Sequence, residues 1–367
     1  MLDELSQRIA RLMTQGVEIV DPRQTYVAAD VLPERIRPGA ILHPGTRLHG
    51  ARTFVAERSQ IGAEGPATVI DAVFGPGAVI DSGFVQGAVL LRDARLGANA
   101  HVRAGTLLEE EASTAHAVGL KHTILLSFVT LGSLINFCDV LMAGGTSRTD
   151  HSEVGSGFIH FNFTPWGRRG DKATPSLVGG AIEGVLLRQR RIFLGGAGGI
   201  VGPRRVGFGA IAAAGQVLRR DVAAASLVSA GPPTIAKPVV AGAVDAAQPR
   251  GRRNVEYIAE LVVLRAWYRH VRLARASTAT CRVVIGAAID TLGVAIDERV
   301  TRLRAFLDER GEAMPVLDLE PDIACPQVEG PAQADHVAWV RGLDDAAVTA
   351  LGTWLGAVAA AVTARSP

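Results

Sequence analysis

Aliphatic residues recur at every sixth position over long stretches of this chain. Ile36, Leu42, Leu48 and Phe54 keep that spacing, Val73, Val79, Val85 and Leu91 repeat it, and Leu96, Val102 and Leu108 continue it. Turn-forming groups such as Arg37-Pro38-Gly39 stand between them, and Phe193-Leu194-Gly195-Gly196 and Val206-Gly207-Phe208-Gly209 read the same way. A strand alternates with period two and an amphipathic helix with period 3.6, so neither accounts for a beat of six. A β-helix does, because each face of a coil buries one aliphatic side chain and the coils stack. Gly, Pro and Asn gather at its corners, where the chain turns and often needs a positive φ. The pattern predicts a solenoid from about residue 31 to residue 222.

Outside that stretch the period is helical. Leu2, Leu5, Ile9, Leu12 and Met13 predict one short amphipathic helix, ended by Gly16. Residues 222–250 are rich in Ala, Pro and Gly and read as a linker. Val255, Ile258, Leu261, Val262 and Tyr268 open a long helix, residues 283–307 make a second, and residues 344–364 a last one with Asp344 or Asp345 as its cap. The predicted fold is mainly β: a left-handed parallel β-helix over residues 17–235, an N-terminal helix over 1–16, and a linker with an α-helical C-terminal domain over 236–367. That last domain carries no evident chemistry, and its expected role is packing against the solenoid or against a partner subunit.

Composition narrows the partners. The 367 residues are 48 % hydrophobic with 41 Gly, and the mean hydropathy of +0.23 suits a Gly-cornered solenoid with an ample core. A formal charge of +2 argues for no nucleic acid and no membrane surface as partner. Cys138, Cys281 and Cys325 have no metal-ligand spacing and suggest no disulfide framework. With no apolar leader and no uninterrupted apolar run of membrane-spanning length, the expected location is cytoplasmic.

Several residues are candidates for chemistry. One coil is about 18 residues, three faces of six, so His151 is expected to stack over Ser133 if no insertion intervenes. His160 alternates with Asn162 and is expected to share its face, whereas His116 reads as structural. The stretch from Phe163 to Arg191 is expected to be a long irregular excursion, and binding groups gather on such loops. In it Arg168, Arg169 and Lys172 offer phosphate-neutralising charge. The small residues around Gly196 and Ala213 are what tight coil corners require.

These segments resemble a known family, the acetyltransferase half of bifunctional glucosamine-1-phosphate acetyltransferase/N-acetylglucosamine-1-phosphate uridyltransferase and its sugar-nucleotidyltransferase relatives. Gly16-Val17-Glu18-Ile19-Val20-Asp21-Pro22 is similar to the family's entry into its β-helix, and Val102-Arg103-Ala104-Gly105 resembles a turn whose Arg binds the sugar phosphate. Lys121-His122-Thr123-Ile124-Leu125 looks like the strand whose Lys reaches the same phosphate. Ser133 to Asp139 lies over the stretch that opens with the family's catalytic His, with Asn136 where the family has Tyr, and His160-Phe161-Asn162-Phe163 is similar to the segment lining the sugar and acetyl sites. Three features depart from the pattern: Ser133 replaces the catalytic His, Ala230 stands where an Arg meets coenzyme A, and the nucleotidyltransferase domain is missing.

The resemblance implies a trimer with sites between subunits and acetyl-CoA, or another acyl-CoA, as co-substrate. The implied activity is N-acyl transfer to an amino-sugar phosphate or a nucleotide-linked amino sugar. His151, His160 and Asn162 are the catalytic candidates. Arg103, Lys121, Asn136, Phe163, Arg168 and Lys172 are the substrate-binding ones, and Gly196 and Ala213 would line the cofactor path. The alternative is a non-catalytic sugar-phosphate or nucleotide-sugar binding or scaffolding module, which the replacement of the His by Ser133 suits.

Overall fold

A computed structural model of the chain describes residues 2–162, 172–229, 231, 247–331 and 335–363. Among these, eleven short parallel strands from Glu18–Ile19 to Leu227–Val228 stack into one sheet, and sixteen more form a second sheet that folds around the other two sides. Each coil visits a first, a second and a third face in turn. The result is the left-handed parallel β-helix that the hexad rhythm predicts. Coil length is not constant: Arg95 lies beside Ser113, eighteen positions on, but Ser113 lies beside Thr130, seventeen positions on.

Columns of aliphatic side chains fill the interior. Leu42, Ile61 and Ile80 point inward from the first face, Leu48, Val69 and Val85 from the second, and Val55, Phe74 and Leu90 from the third. The sequence reading had the rhythm right but drifted by one residue on the third face and, at Val79, on the first, where Ile80 is the core residue. On the third face Phe54 and Val73 point outward, and their neighbours Val55 and Phe74 occupy the core.

The reason is visible in the composition of that face. The pairs Phe54-Val55, Val73-Phe74, Val89-Leu90, Leu107-Leu108, Ile124-Leu125 and Leu141-Met142 are apolar on both sides of the strand. A sheet apolar on both sides needs a cover on both, and the C-terminal helices supply it.

Helix α1 (Leu2–Thr14) closes the first coil by burying Ile9 and Leu12 in the solenoid core. Helix α2 (Ala181–Gly184) lies in the segment that returns from the third face to the first. Helices α3 (Ala247–Trp267), α4 (Ala279–Asp308), α5 (His336–Arg341) and α6 (Asp345–Thr363) form the cover. Tyr257, Leu261, Leu264, Leu292 and Ile296 pack in one cluster with the outer side chains of the third face. Asp344 caps α6 by accepting from the Ala347 N–H at 2.7 Å. By length and composition α4 and α6 are apolar enough to cross a membrane. In this fold their apolar stripes, such as Leu351, Trp354, Leu355 and Val358 of α6, are buried against the other helices and the solenoid.

Buried charges tie the cover down. Arg272, in a π-helical turn after α3, pairs with Glu110 and with Glu109 at 3.4 Å, while Tyr268 donates to Glu109 at 2.8 Å. Burial pushes the Glu109 carboxyl above its ordinary range and Arg272 opposes that shift. Arg299 of α4 pairs with Asp139 at 3.0 Å, and Glu260 of α3 accepts from the Ala181 N–H at 2.6 Å.

Candidate functional site

The sequence candidates fall on three edges of the solenoid. The edge between the first and second faces carries a row of corner residues joined by backbone hydrogen bonds. Leu134 N–H donates to the His116 carbonyl, Gly157 N–H to that of Ser133, Ala197 N–H to that of Ser156 and Gly215 N–H to that of Gly196. His116, Ser133, Ser156 and Gly196 therefore follow one another along the axis, one per coil, with Ala213 beside the next corner. Neighbouring coils lie roughly 4.8 Å apart, so Gly196 is roughly 10 Å along the row from Ser133.

Within this row the side chains of His116 and Ser133 meet. His116 Nδ1 and Ser133 Oγ are 2.9 Å apart on the exposed edge, and the Ser133 N–H donates to Ser156 Oγ at 3.1 Å. The sequence alone read His116 as structural. The signal that finds it is coil length, since seventeen residues, not eighteen, separate successive coils at this level.

His151 does not stack over Ser133. Gly145–Ser147 and Asp150–His151 form an antiparallel hairpin inserted between the third and first faces. That insertion lengthens the coil so that Leu131 lies beside Val154, and Ser156 takes the place over Ser133. His151 instead borders a groove of about 440 Å³ with Asp150, Glu153, Arg190, Arg191 and Phe193. Burial and the nearby Arg148 lower its pKa.

The edge between the second and third faces collects the basic residues. Lys121 lies beside Cys138 in register, and Arg103 follows Val102, the partner of Leu120. Burial and Asp139 raise the pKa of the Cys138 thiol, and the charges of Arg103 and Lys121 oppose that rise. His122 is at the bend itself with φ of +46°, so the strand does not continue straight past Lys121. Burial lowers the pKa of His122, which stands 3.9 Å from Glu298 of α4. Asn162 donates to Asp139 at 3.4 Å and is thereby tied to the pair with Arg299.

His160 and Asn162 do not share a face. Ile159 and Phe161 point outward from their strand, which leaves His160 inward in the aliphatic column beside Ile200. There its Nε2 is 2.8 Å from Ser176 Oγ, and burial pushes its pKa down to about 4. A base must reach the proton it removes, and this ring faces the solenoid interior.

Asn136 is exposed on the outer surface of the second face, between the two edges. Lys172 is exposed, whereas Phe163, Arg168 and Ala230 lie outside the described residues. In the described part of the expected excursion, Ser176–Val178 rejoins the third face and α2 packs on α3. The structure thus groups His116, Ser133 and Gly196 on one edge and Arg103, Lys121 and Asn162 on the other, with Asn136 between. From Ser133 to Cys138 is five residues, roughly 16 Å at 3.3 Å per residue. Among the described residues no three His, Cys, Asp or Glu side chains are placed to hold a metal ion.

Known proteins match this chain in sequence. Over 222 residues it is 28 % identical to the bifunctional protein GlmU of Thermotoga petrophila, covering 60 % of this chain and 44 % of that protein. Over 225 residues it is 30 % identical to the GlmU of Nocardia farcinica, covering 61 % and 40 %. The chain is similar to GlmU proteins. It spans less than half the length of the GlmU proteins it matches, and the match supports the resemblance carried by the motifs. No family model matches. A solved structure of LpxA from Acinetobacter baumannii is 16 % identical and covers 76 % of this chain and 95 % of its own, with a TM-score of 0.16, too low for the two shapes to superpose as wholes.

Proposed function

We propose that this chain is an acyltransferase acting on sugar derivatives, moving an acyl group, acetyl in the simplest case, from an acyl-coenzyme A thioester to an amino sugar. The observation that carries this reading is the His116–Ser133 hydrogen bond, at the corner where the family it resembles has its catalytic His. Transfer from a thioester needs a base for the amine proton, donors for the oxyanion and a path for the pantetheine arm. His116 is the base in this reading, because its imidazole is within hydrogen-bond reach of Ser133 on this edge. The row through Ser156, Gly196 and Ala213 is the path. Arg103 and Lys121 hold the acceptor's phosphate and Asn136 orients its sugar, while Asn162 positions Asp139.

The two edges of the second face are too far apart for one sugar phosphate to touch both. A nucleotide-linked amino sugar spans them, or a second copy brings its own edge alongside, as in the trimer that the resemblance implies. Assembly is limited to the first and second faces, since the helices cover the third. The proposed setting is a cytoplasmic homotrimer.

The test is consumption of acetyl-CoA by the purified protein with glucosamine-1-phosphate and, separately, with UDP-linked amino sugars. Turnover that falls about a hundredfold or more in His116→Ala supports the reading. No turnover with either acceptor, together with thermal stabilisation by the sugar ligand alone, would overturn it in favour of the binding module that Ser133 also suits.

A further inference from the structure

We infer that Ser133 carries the acyl group as a covalent ester between donor and acceptor. This deepens the acyl-transfer reading and rests on it for the identity of the donor. A nucleophile and a base within hydrogen-bond reach are the signature of covalent catalysis, and His116 Nδ1 stands 2.9 Å from Ser133 Oγ. In the tautomer whose Nδ1 accepts, that nitrogen is occupied by the serine hydroxyl. An acceptor amine reaches it only by displacing that hydroxyl, whereas an acyl donor approaching from the Gly196 side meets the hydroxyl first.

The surrounding backbone holds the serine in that pose. Its N–H donates to Ser156 Oγ, its carbonyl accepts from Gly157 N–H at 2.8 Å, and the next residue, Leu134, has φ of +58°. Ser156 Oγ accepts from Ser133 and keeps its own hydroxyl hydrogen for an oxygen beside Ser133. That is the place where the tetrahedral oxyanion forms.

The steps balance without any further reagent. Ser133 Oγ attacks the thioester carbonyl carbon as its proton passes to His116 Nδ1. The C–S bond then breaks and the departing thiolate takes that proton, leaving an ester on Ser133. In the second half the acceptor's amine attacks the ester carbonyl and gives its proton to His116. Ser133 Oγ leaves as the C–O bond breaks and recovers the proton. Donor and acceptor occupy the edge in turn, so both need not fit at once.

The experiment treats the full-length protein with acetyl-CoA in the absence of acceptor, and in parallel with p-nitrophenyl acetate as an activated ester. Peptide mass spectrometry then locates any acetyl group. The expected result is one equivalent of thiol released, acetyl on Ser133, and parallel lines in initial-rate plots when acceptor is added. Ser133→Ala and His116→Gln should each lose the label and slow turnover about a hundredfold or more, with unchanged thermal melting confirming that they fold. Turnover that survives in Ser133→Ala with intersecting lines would overturn the covalent step and leave the acyltransferase intact. Label on Ser133 from p-nitrophenyl acetate but not from acetyl-CoA, dependent on His116, would support the reactive serine and reject the coenzyme A donor. No label from either reagent would overturn the covalent step outright.

Discussion

The second and third faces of the solenoid are built from the same coils and differ in one respect. On the second face polar and apolar residues alternate, as in Gly119-Leu120-Lys121 and Asn136-Phe137-Cys138, so one side feeds the core and the other meets solvent. On the third face both members of each pair are apolar, as in Leu107-Leu108 and Ile124-Leu125. The first arrangement leaves a bare, chemically equipped surface. The second demands a cover and receives the C-terminal helices. The helical domain is therefore an answer to a hydrophobic surface, and it leaves the other two sides bare.

The largest effect expected from breaking this difference is at the charges under the cover. Arg272→Ala leaves Glu109 and Glu110 buried without their cation, at about 3–5 kcal/mol, read by urea unfolding. Paired truncations test the faces directly. Leu107→Ala and Leu108→Ala should each cost about 2–5 kcal/mol, because both positions are buried. On the second face Leu120→Ala should cost as much, while its neighbour Lys121→Ala should stay within about 0.5 kcal/mol and weaken only acceptor binding. Equal costs for Leu120 and Lys121 would erase the distinction between the faces.

A smaller effect comes from pH. His160 under the second face and His336 under the cover both have pKa values depressed chiefly by burial. A group whose folded pKa lies below its unfolded value binds more protons when unfolded, so its contribution is complete above about 6.5 and is lost as pH falls. For His160 the loss runs from about 6.5 to about 4, at about 1.4 kcal/mol per pH unit. Asp139 counters this shift and Arg299 adds to it. His160→Leu should flatten the profile of unfolding free energy between pH 6.5 and 4, and an unchanged slope would show that the ring is not buried as described. Asn136→Ala should change stability least, within about 0.5 kcal/mol, since its side chain is exposed on the bare face.

The solenoid was legible because its period is a property of local order: six residues per face recur whatever lies outside. The helices were legible for the same reason, down to a cap at Asp344 or Asp345, of which Asp344 is the one that accepts from Ala347. Long-range register was less so. The expectation that His151 covers Ser133 assumed eighteen residues per coil, and the hairpin at residues 145–151 broke it. The expectation that His160 shares the face of Asn162 failed because an imidazole bonded to Ser176 is accepted in an aliphatic column, which polarity alone does not suggest.

By itself the amino-acid order determined a stack of coils with Gly-rich corners, and a helical tail with one apolar stripe per helix. It did so because side-chain burial repeats at fixed intervals along the chain. Only the tertiary structure decided which histidine meets Ser133 and which face the tail covers. Both depend on the cumulative length of inserted segments and on pairing between residues far apart in sequence. Arg272 with Glu110 and Arg299 with Asp139 are such pairs, and no local pattern encodes them.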